Sequence, residues 1–343
     1  TARRDILIGV NQVIMVCFSM AVISAFIGAK GLGFNLLLAL NQLNIGLALE
    51  AGLCISLIAI LLDKMSLAWA NKQTDYFGNL TFFQRNKNAI FFGASFVIGI
   101  ILAYVGTFIF KGSFNYLFEI PHNKGISTAD FWNKGVDWIF DTFFVYIKAF
   151  NTWLIQDVLQ PMRALYLRMP AVATLVLAVG AGYLIGGIRS ALVVAALTLF
   201  IALSPWWDRA LVTLYMATFG VVISCLIGFT VGTLCFQNKK SAAFMLGVCD
   251  IFQTFPSFVY LIPVMMLFGI TDTSVLIAVI VYATIPATRY TIEGLRSVPI
   301  GLHEAATMSG VNKFQRLTKI EFPLAFPHMM LGINQTIVFA LFM

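Results

Sequence analysis

Long, uninterrupted apolar runs dominate this chain and restrict it to a membrane fold. An α-helix needs about 20 mostly apolar residues to cross a hydrocarbon layer roughly 30 Å thick. Apolar runs occupy residues 7 to 29, 45 to 62, 89 to 110, 171 to 187, 190 to 204, 211 to 236, 244 to 270, 274 to 288 and 328 to the end, the run at 190 to 204 being short. A membrane β-barrel would show segments of about ten residues alternating in polarity, and these runs do not alternate. Hydrophobic residues make up 60% of the chain and charged residues 11%, far from the balance of a soluble domain. The expected fold is all-α, a polytopic transmembrane helical bundle of about nine segments.

Basic residues orient that bundle. If the polar segment 289 to 327 is cytoplasmic, tracing the spans backward also makes 1 to 6, 63 to 88, 188 to 189 and 237 to 243 cytoplasmic. Together these five segments hold 14 of the 22 Lys and Arg. The net charge of +7 thus reports topology, and no nucleic-acid partner is needed to explain it. Cys17, Cys54, Cys225, Cys235 and Cys249 all fall in apolar runs without metal-ligand spacing or a disulfide framework. They read as small buried hydrophobes.

An internal repeat bears on domain organisation. Residues 8 to 20 recur as 331 to 343: Gly9 matches Gly332, Asn11 matches Asn334, Gln12 matches Gln335, Ile14 matches Ile337 and Met20 matches Met343, at a constant offset of 323. A polar Asn-Gln pair inside a membrane helix is costly, so its recurrence in one frame marks a duplicated unit. Residues 1–75 are expected to be the C-terminal part of a first unit and 76–343 a second, with both ends cut and a polar linker at 71 to 88. Within the second unit, 111–170 is expected to be a periplasmic or interfacial scaffold, and 205–343 the core, truncated at its end. Residues 129 to 159 carry Val136, Phe140, Phe143, Ile147, Phe150 and Leu154 on one helical face, with charges opposite. This amphipathic helix suits either a bilayer surface or packing on its own protein.

Motifs for catalysis are missing. The chain has no Gly-x-x-x-x-Gly-Lys-Ser/Thr phosphate loop, and His122, His303 and His328 are scattered. The expectation is a non-enzyme with no cofactor and no metal of its own. One polar segment is distinctive: Glu304-Ala305-Ala306, then Gly310, then Ile320 and Pro323. Residues 302 to 309 read as a short helix, Gly310 permits a turn with positive φ, and a second helix runs to Ile320 before Pro323 stops it. Ala305 and Ala306 keep one face small for close approach by another protein. Lys313, Arg316 and Lys319 form a basic stripe.

This spacing resembles the signature loop of binding-protein-dependent ABC importer permeases, with Phe322 where that family often has Leu. Asp250 to Gly269, Ala283-Thr-Ile-Pro286, Pro323-Leu-Ala-Phe-Pro327 and the Gly-x-Asn-Gln segments look like the quaternary-amine branch, permeases for glycine betaine, proline betaine or choline. The resemblance implies a multi-pass protein of the bacterial inner membrane whose loop docks on a cytoplasmic ATPase through Glu304, Ala305, Ala306 and Gly310. ATP and Mg would be bound by that separate ATPase, and a periplasmic or tethered binding protein would deliver substrate to a tandem or dimeric permease.

A quaternary ammonium has no donors and is held by cation–π contact. Phe252, Phe255, Phe258 and Tyr260 flank Pro256, which should kink its helix. With Gln253, Asn11, Gln12, Asn334 and Gln335 they are candidates for a substrate path. Alternatives are an ABC permease for another small solute such as an amino acid, and an ion-coupled secondary betaine transporter. A membrane scaffold without transport is opposed by the midplane polar residues.

Overall fold

The computed structural model describes residues 23–42, 44–70, 87–109, 127–255 and 257–343, with positions 13, 17 and 20. Most of the expected span at 7 to 29 and of the linker at 71 to 88 lies outside the described residues. Among the described residues all regular structure is helical. The helices are α1 (Leu32–Asn41), α2 (Ile45–Ala70), α3 (Lys87–Ile109), α4 (Ala129–Trp153), α5 (Gln160–Leu167), α6 (Ala171–Leu203) and α7 (Trp207–Phe236). They are followed by α8 (Lys239–Thr254), α9 (Ser257–Phe268), α10 (Asp272–Arg296), α11 (Ile300–Met308), α12 (Lys313–Arg316) and α13 (Phe322–Phe342). By length and composition five described stretches are apolar enough to cross a membrane, Ile45–Leu62, Ala171–Leu203, Trp207–Phe236, Asp272–Arg296 and Lys313–Phe342, although Ala171–Leu203 is folded at Gly186 and Gly187. The molecule is a multi-pass helical bundle.

At its centre α10 lies between α7 and α13. The α7–α10 contact is close because α7 presents a column of small residues at four-residue spacing: Gly220, Ser224, Gly228 and Gly232. Without a hydrophobic force between helices in lipid, such columns let backbones approach and gain dispersion contacts instead. A Cβ on Gly228 would lie 2.4 Å from the Ala287 Cβ and 2.9 Å from the Thr288 backbone nitrogen. Between them the buried Ser224 hydroxyl donates across the interface to the Ile280 carbonyl at 3.3 Å. Along α10 the hydroxyls of Thr284, Thr288 and Thr291 donate to carbonyls four residues earlier, so these polar side chains are satisfied where water is absent.

One apolar run is split into two helices, and two others are joined across a break. The run at 244 to 270 is two helices, α8 and α9, neither of them span-length. Phe255 between them is extended, with φ −75° and ψ 133°, the conformation that a following proline imposes by clashing with a helical predecessor. The proline expected to kink one helix therefore ends it, although Pro256 itself lies outside the described residues. Within α6, Gly186 and Gly187 leave helical geometry, Gly187 at φ 68°. The chain doubles back there, bringing Gly182 against Val194 and Ala191. The runs at 171 to 187 and 190 to 204 are thus the arms of a hairpin, roughly 26 and 23 Å long at 1.5 Å per residue, short of the hydrocarbon thickness.

The amphipathic helix is observed as α4, and it packs on its own protein. It lies along α2 and α9. The Gly46 backbone N–H donates to Asn133 Oδ1 at 2.8 Å, the Asn151 amide donates to the Phe268 carbonyl at 3.3 Å, and the Phe150 ring meets Phe268 edge-on at 5.9 Å. Its outer side leaves Val145, Tyr146 and Trp138 exposed. Of the cysteines, Cys225 and Cys249 are buried, but Cys17 and Cys54 are exposed on the helix surface.

Candidate functional site

The polar segment after α10 forms a two-helix knob. α11 ends where the Ser309 and Val311 N–H groups bond back to the Ala305 and Ala306 carbonyls at 3.0 and 3.1 Å. Gly310 then turns the chain at φ 73°, in the left-handed region that disfavours any Cβ. Asn312 starts α12 with a capping box: its Oδ1 accepts from the Gln315 N–H at 2.8 Å, and its own N–H donates to Gln315 Oε1 at 3.1 Å. Each of these devices joins residues no more than five positions apart in sequence.

Glu304 and Ala305 are exposed, whereas Ala306 is 4% exposed. Consecutive helical residues point about 100° apart, so the two alanines cannot share one outward face. Ala305 offers the small outer surface, and Ala306 is buried. Leu302, Met308 and Phe314 stand beside Glu304 and Ala305 as large exposed apolar groups, Met308 at 89% and Phe314 at 73%. Sequence reasoning passed over them, although large hydrophobes inside an otherwise polar segment are a legible signal.

Pro323 does not stop the second helix. The chain runs from α12 through a wide π-type turn, Leu317–Glu321, directly into α13, with Ile320 half-buried in that turn and Pro323 in the first turn of α13. A proline ring clashes with the carbonyl four residues back in a regular helix. A turn bonded i to i+5 relieves that clash. Arg316 is also withdrawn from the expected basic stripe, because its Nε donates to Glu321 Oε1 at 2.9 Å. Lys313 and Lys319 remain exposed.

Where α8, α9, α10 and α13 meet, aromatic rings pack into a continuous cluster. Phe252, Phe255 and Tyr260 surround the α8–α9 break with centroids 6.0 to 6.3 Å apart. Tyr260 continues to Tyr282 at 5.3 Å, and Tyr282 stacks on Phe339 at 4.7 Å. The Tyr260 hydroxyl donates to the Phe252 carbonyl, which also accepts the Phe255 N–H at 3.3 Å at the end of α8. Phe255 and Tyr260, singled out as path residues, are thus brought together; Tyr282 and Phe339, distant in sequence, complete the cluster. The Phe258 side chain lies outside the described residues.

Gln253 belongs to a polar cluster beside the rings. Arg289 Nη1 donates to Gln253 Oε1 at 2.8 Å and to Asp250 Oδ1 at 2.7 Å, while its Nε donates to Glu293 Oε1 at 3.0 Å. One guanidinium therefore ties α8 to α10. Arg289, two helical turns beyond Tyr282, had no motif to mark it and was missed from the sequence. Gln335 is half-buried one turn before Phe339 on α13, and Asn334 is exposed. Asn11 and Gln12 lie outside the described residues.

The described residues thus form a multi-pass helical bundle with an exposed two-helix knob and a ring cluster where α8 gives way to α9. Residues 220–343 match the binding-protein-dependent transport system inner membrane component. Across 343 residues it is 87% identical to the trimethylamine N-oxide transport system permease protein TmoV of Pelagibacter ubique, covering 100% of this chain and 48% of that protein. It is 40% identical over 353 residues to the protein of the same name from Ruegeria pomeroyi, covering 100% of this chain and 51% of that protein. Against the glycine betaine/proline betaine transport system permease protein ProW of Escherichia coli K12 it is 30% identical over 224 residues, 65% of this chain and 63% of ProW. The chain spans about half the length of the two TmoV relatives.

Proposed function

We propose that this chain forms part of the permease of an ABC importer that moves trimethylamine N-oxide into the cell, driven by ATP hydrolysis on a separate subunit. The observation that carries this reading is the 87% identity to TmoV along the whole chain. The chemistry agrees with it. Trimethylamine N-oxide presents a positively charged, fully substituted nitrogen with three methyl groups and no N–H, as glycine betaine and choline do in their ammonium heads. Aromatic faces suit such a head, and Phe252, Phe255, Tyr260, Tyr282 and Phe339 supply them. Gln253, Asn334 and Gln335 are the amides for the polar end of the path, with Asn11 and Gln12 as their repeat counterparts.

In this reading the protein lies in the bacterial inner membrane with the Glu304 knob in the cytoplasm. The knob docks on the ATPase, which binds ATP and Mg, and a binding protein delivers substrate from the other side. The permease holds two related units, 1–75 being the end of one and 76–343 the body of the other. Glycine betaine or proline betaine is the second reading, favoured by the 30% identity to ProW.

Uptake into proteoliposomes holding the full permease, its ATPase and its binding protein tests the proposal. Labelled trimethylamine N-oxide should accumulate, and a tenfold excess of unlabelled glycine betaine or choline should leave most of that uptake intact. Preferential uptake of glycine betaine would transfer the assignment to the second reading. Uptake of an amino acid instead would overturn both.

A further inference from the structure

Glu321 is the most enclosed charged side chain of the knob region, with 2% of its surface exposed. Its position in the helix is unusual. Residues i and i+5 of an ordinary α-helix point roughly 140° apart and cannot pair, yet Arg316 Nε reaches Glu321 Oε1 at 2.9 Å. The wide turn at Leu317–Glu321 makes this possible, because its i to i+5 bonding swings the two side chains toward one another. The same turn accommodates Pro323.

The surroundings give this pair leverage. Leu317, the first residue of the turn, and Phe322, just after it, pack on a cluster of Leu295, Ala325 and Met329 that also takes in Phe229 and Phe236. That cluster is where α7, α10 and α13 converge. The knob has two roots in the body of the protein: the short Ser297–Pro299 link from α10, which is not helical throughout, and the helix that continues into α13. A wide turn without a brace is a compliant joint. An ion pair with one enclosed partner, Glu321, and one partly exposed, Arg316, bridges it here.

We propose that the Arg316–Glu321 pair is a brace that carries movement of the docking knob into α13. Both are positioning residues: Glu321 is enclosed, and Arg316 is turned toward it. The proposal rests on the knob docking to an ATPase, and adds that docking and transmission depend on different side chains. Glu304 and Ala305 lie on α11 and Gly310 in the turn after it, whereas the pair spans the wide turn that leads into α13.

The test uses the full permease with its ATPase and binding protein in proteoliposomes, with trimethylamine N-oxide as the transported probe. In Glu321→Gln and Arg316→Gln, ATPase co-purification and basal hydrolysis should stay near the unsubstituted level, while uptake per ATP hydrolysed falls about fivefold or more, as for loss of a typical coupling free energy. The exchanged pair, Arg316→Glu with Glu321→Arg, should recover part of that ratio. If Glu321→Gln does not fold, Arg316→Gln decides the question from the more accessible end. An unchanged uptake-to-hydrolysis ratio in the folded variants overturns the brace and leaves docking standing, as does loss of co-purification alongside transport. Failure of the unsubstituted permease to retain any ATPase overturns the docking reading and the brace with it.

Discussion

At the scale of single residues, the knob depends on one backbone conformation. Gly310 holds φ 73°, and a β-branched residue there faces roughly 1–2 kcal/mol of steric cost. Gly310→Val should therefore reduce ATPase co-purification with the permease by about fivefold or more, taking 1 kcal/mol as that factor. Gly310→Asn, whose side chain tolerates the left-handed region, should stay near the unsubstituted level; equal loss in both would show that space, and not backbone conformation, is what the position requires. Glu304, Ala305 and Gly310 were legible from their spacing because the features that shape the knob act within a few residues. The burial of Ala306 was not, since the spacing of a short helix does not say which of its sides is covered.

Between elements, packing and ion pairing make contributions of different size. The α7–α10 contact leaves no space at Gly228, where an added Cβ would meet backbone as well as side chain. Gly228→Leu should destabilise the purified permease by about 1–3 kcal/mol or more, read as a lowered melting temperature in detergent. Arg289 ties α8 to α10, but Asp250 and Glu293 remain 51% and 41% exposed. Solvent-screened pairs of that kind contribute about 0–1 kcal/mol each. Arg289→Gln should therefore lower the melting temperature less than Gly228→Leu does, and the reverse order would show that the ion pairs dominate this contact. The small-residue column was present in the sequence at a spacing of four, and went unread because four-residue spacing gains meaning only when a partner helix is known. Arg289 was missed for the same reason: its three partners are up to 39 positions away.

For the molecule as a whole, the question is what drives it. With no phosphate loop in its sequence, the purified chain should show no ATP turnover beyond a buffer control until its ATPase partner is added. Transport by the assembled system should stop on ATP depletion and persist when a sodium gradient is collapsed. The opposite pair of results would point to the ion-coupled class of betaine transporter.

Run length and hydropathy determined the membrane class and the all-α architecture from sequence alone, because a backbone in lipid has to satisfy its own hydrogen bonds and few folds do so. Spacing and glycine chemistry likewise determined that a turned, two-helix knob follows α10. Tertiary structure decided the rest. It converted the run at 244 to 270 into two helices, laid α4 along α2 and α9, gathered five aromatic rings from four elements, and carried the knob's second helix past Pro323 through a wide turn. Apolar composition reports only that a side chain avoids water. Lipid and a neighbouring helix satisfy that requirement equally, so the choice between them is made by shape and by hydrogen bonds between residues far apart in the chain.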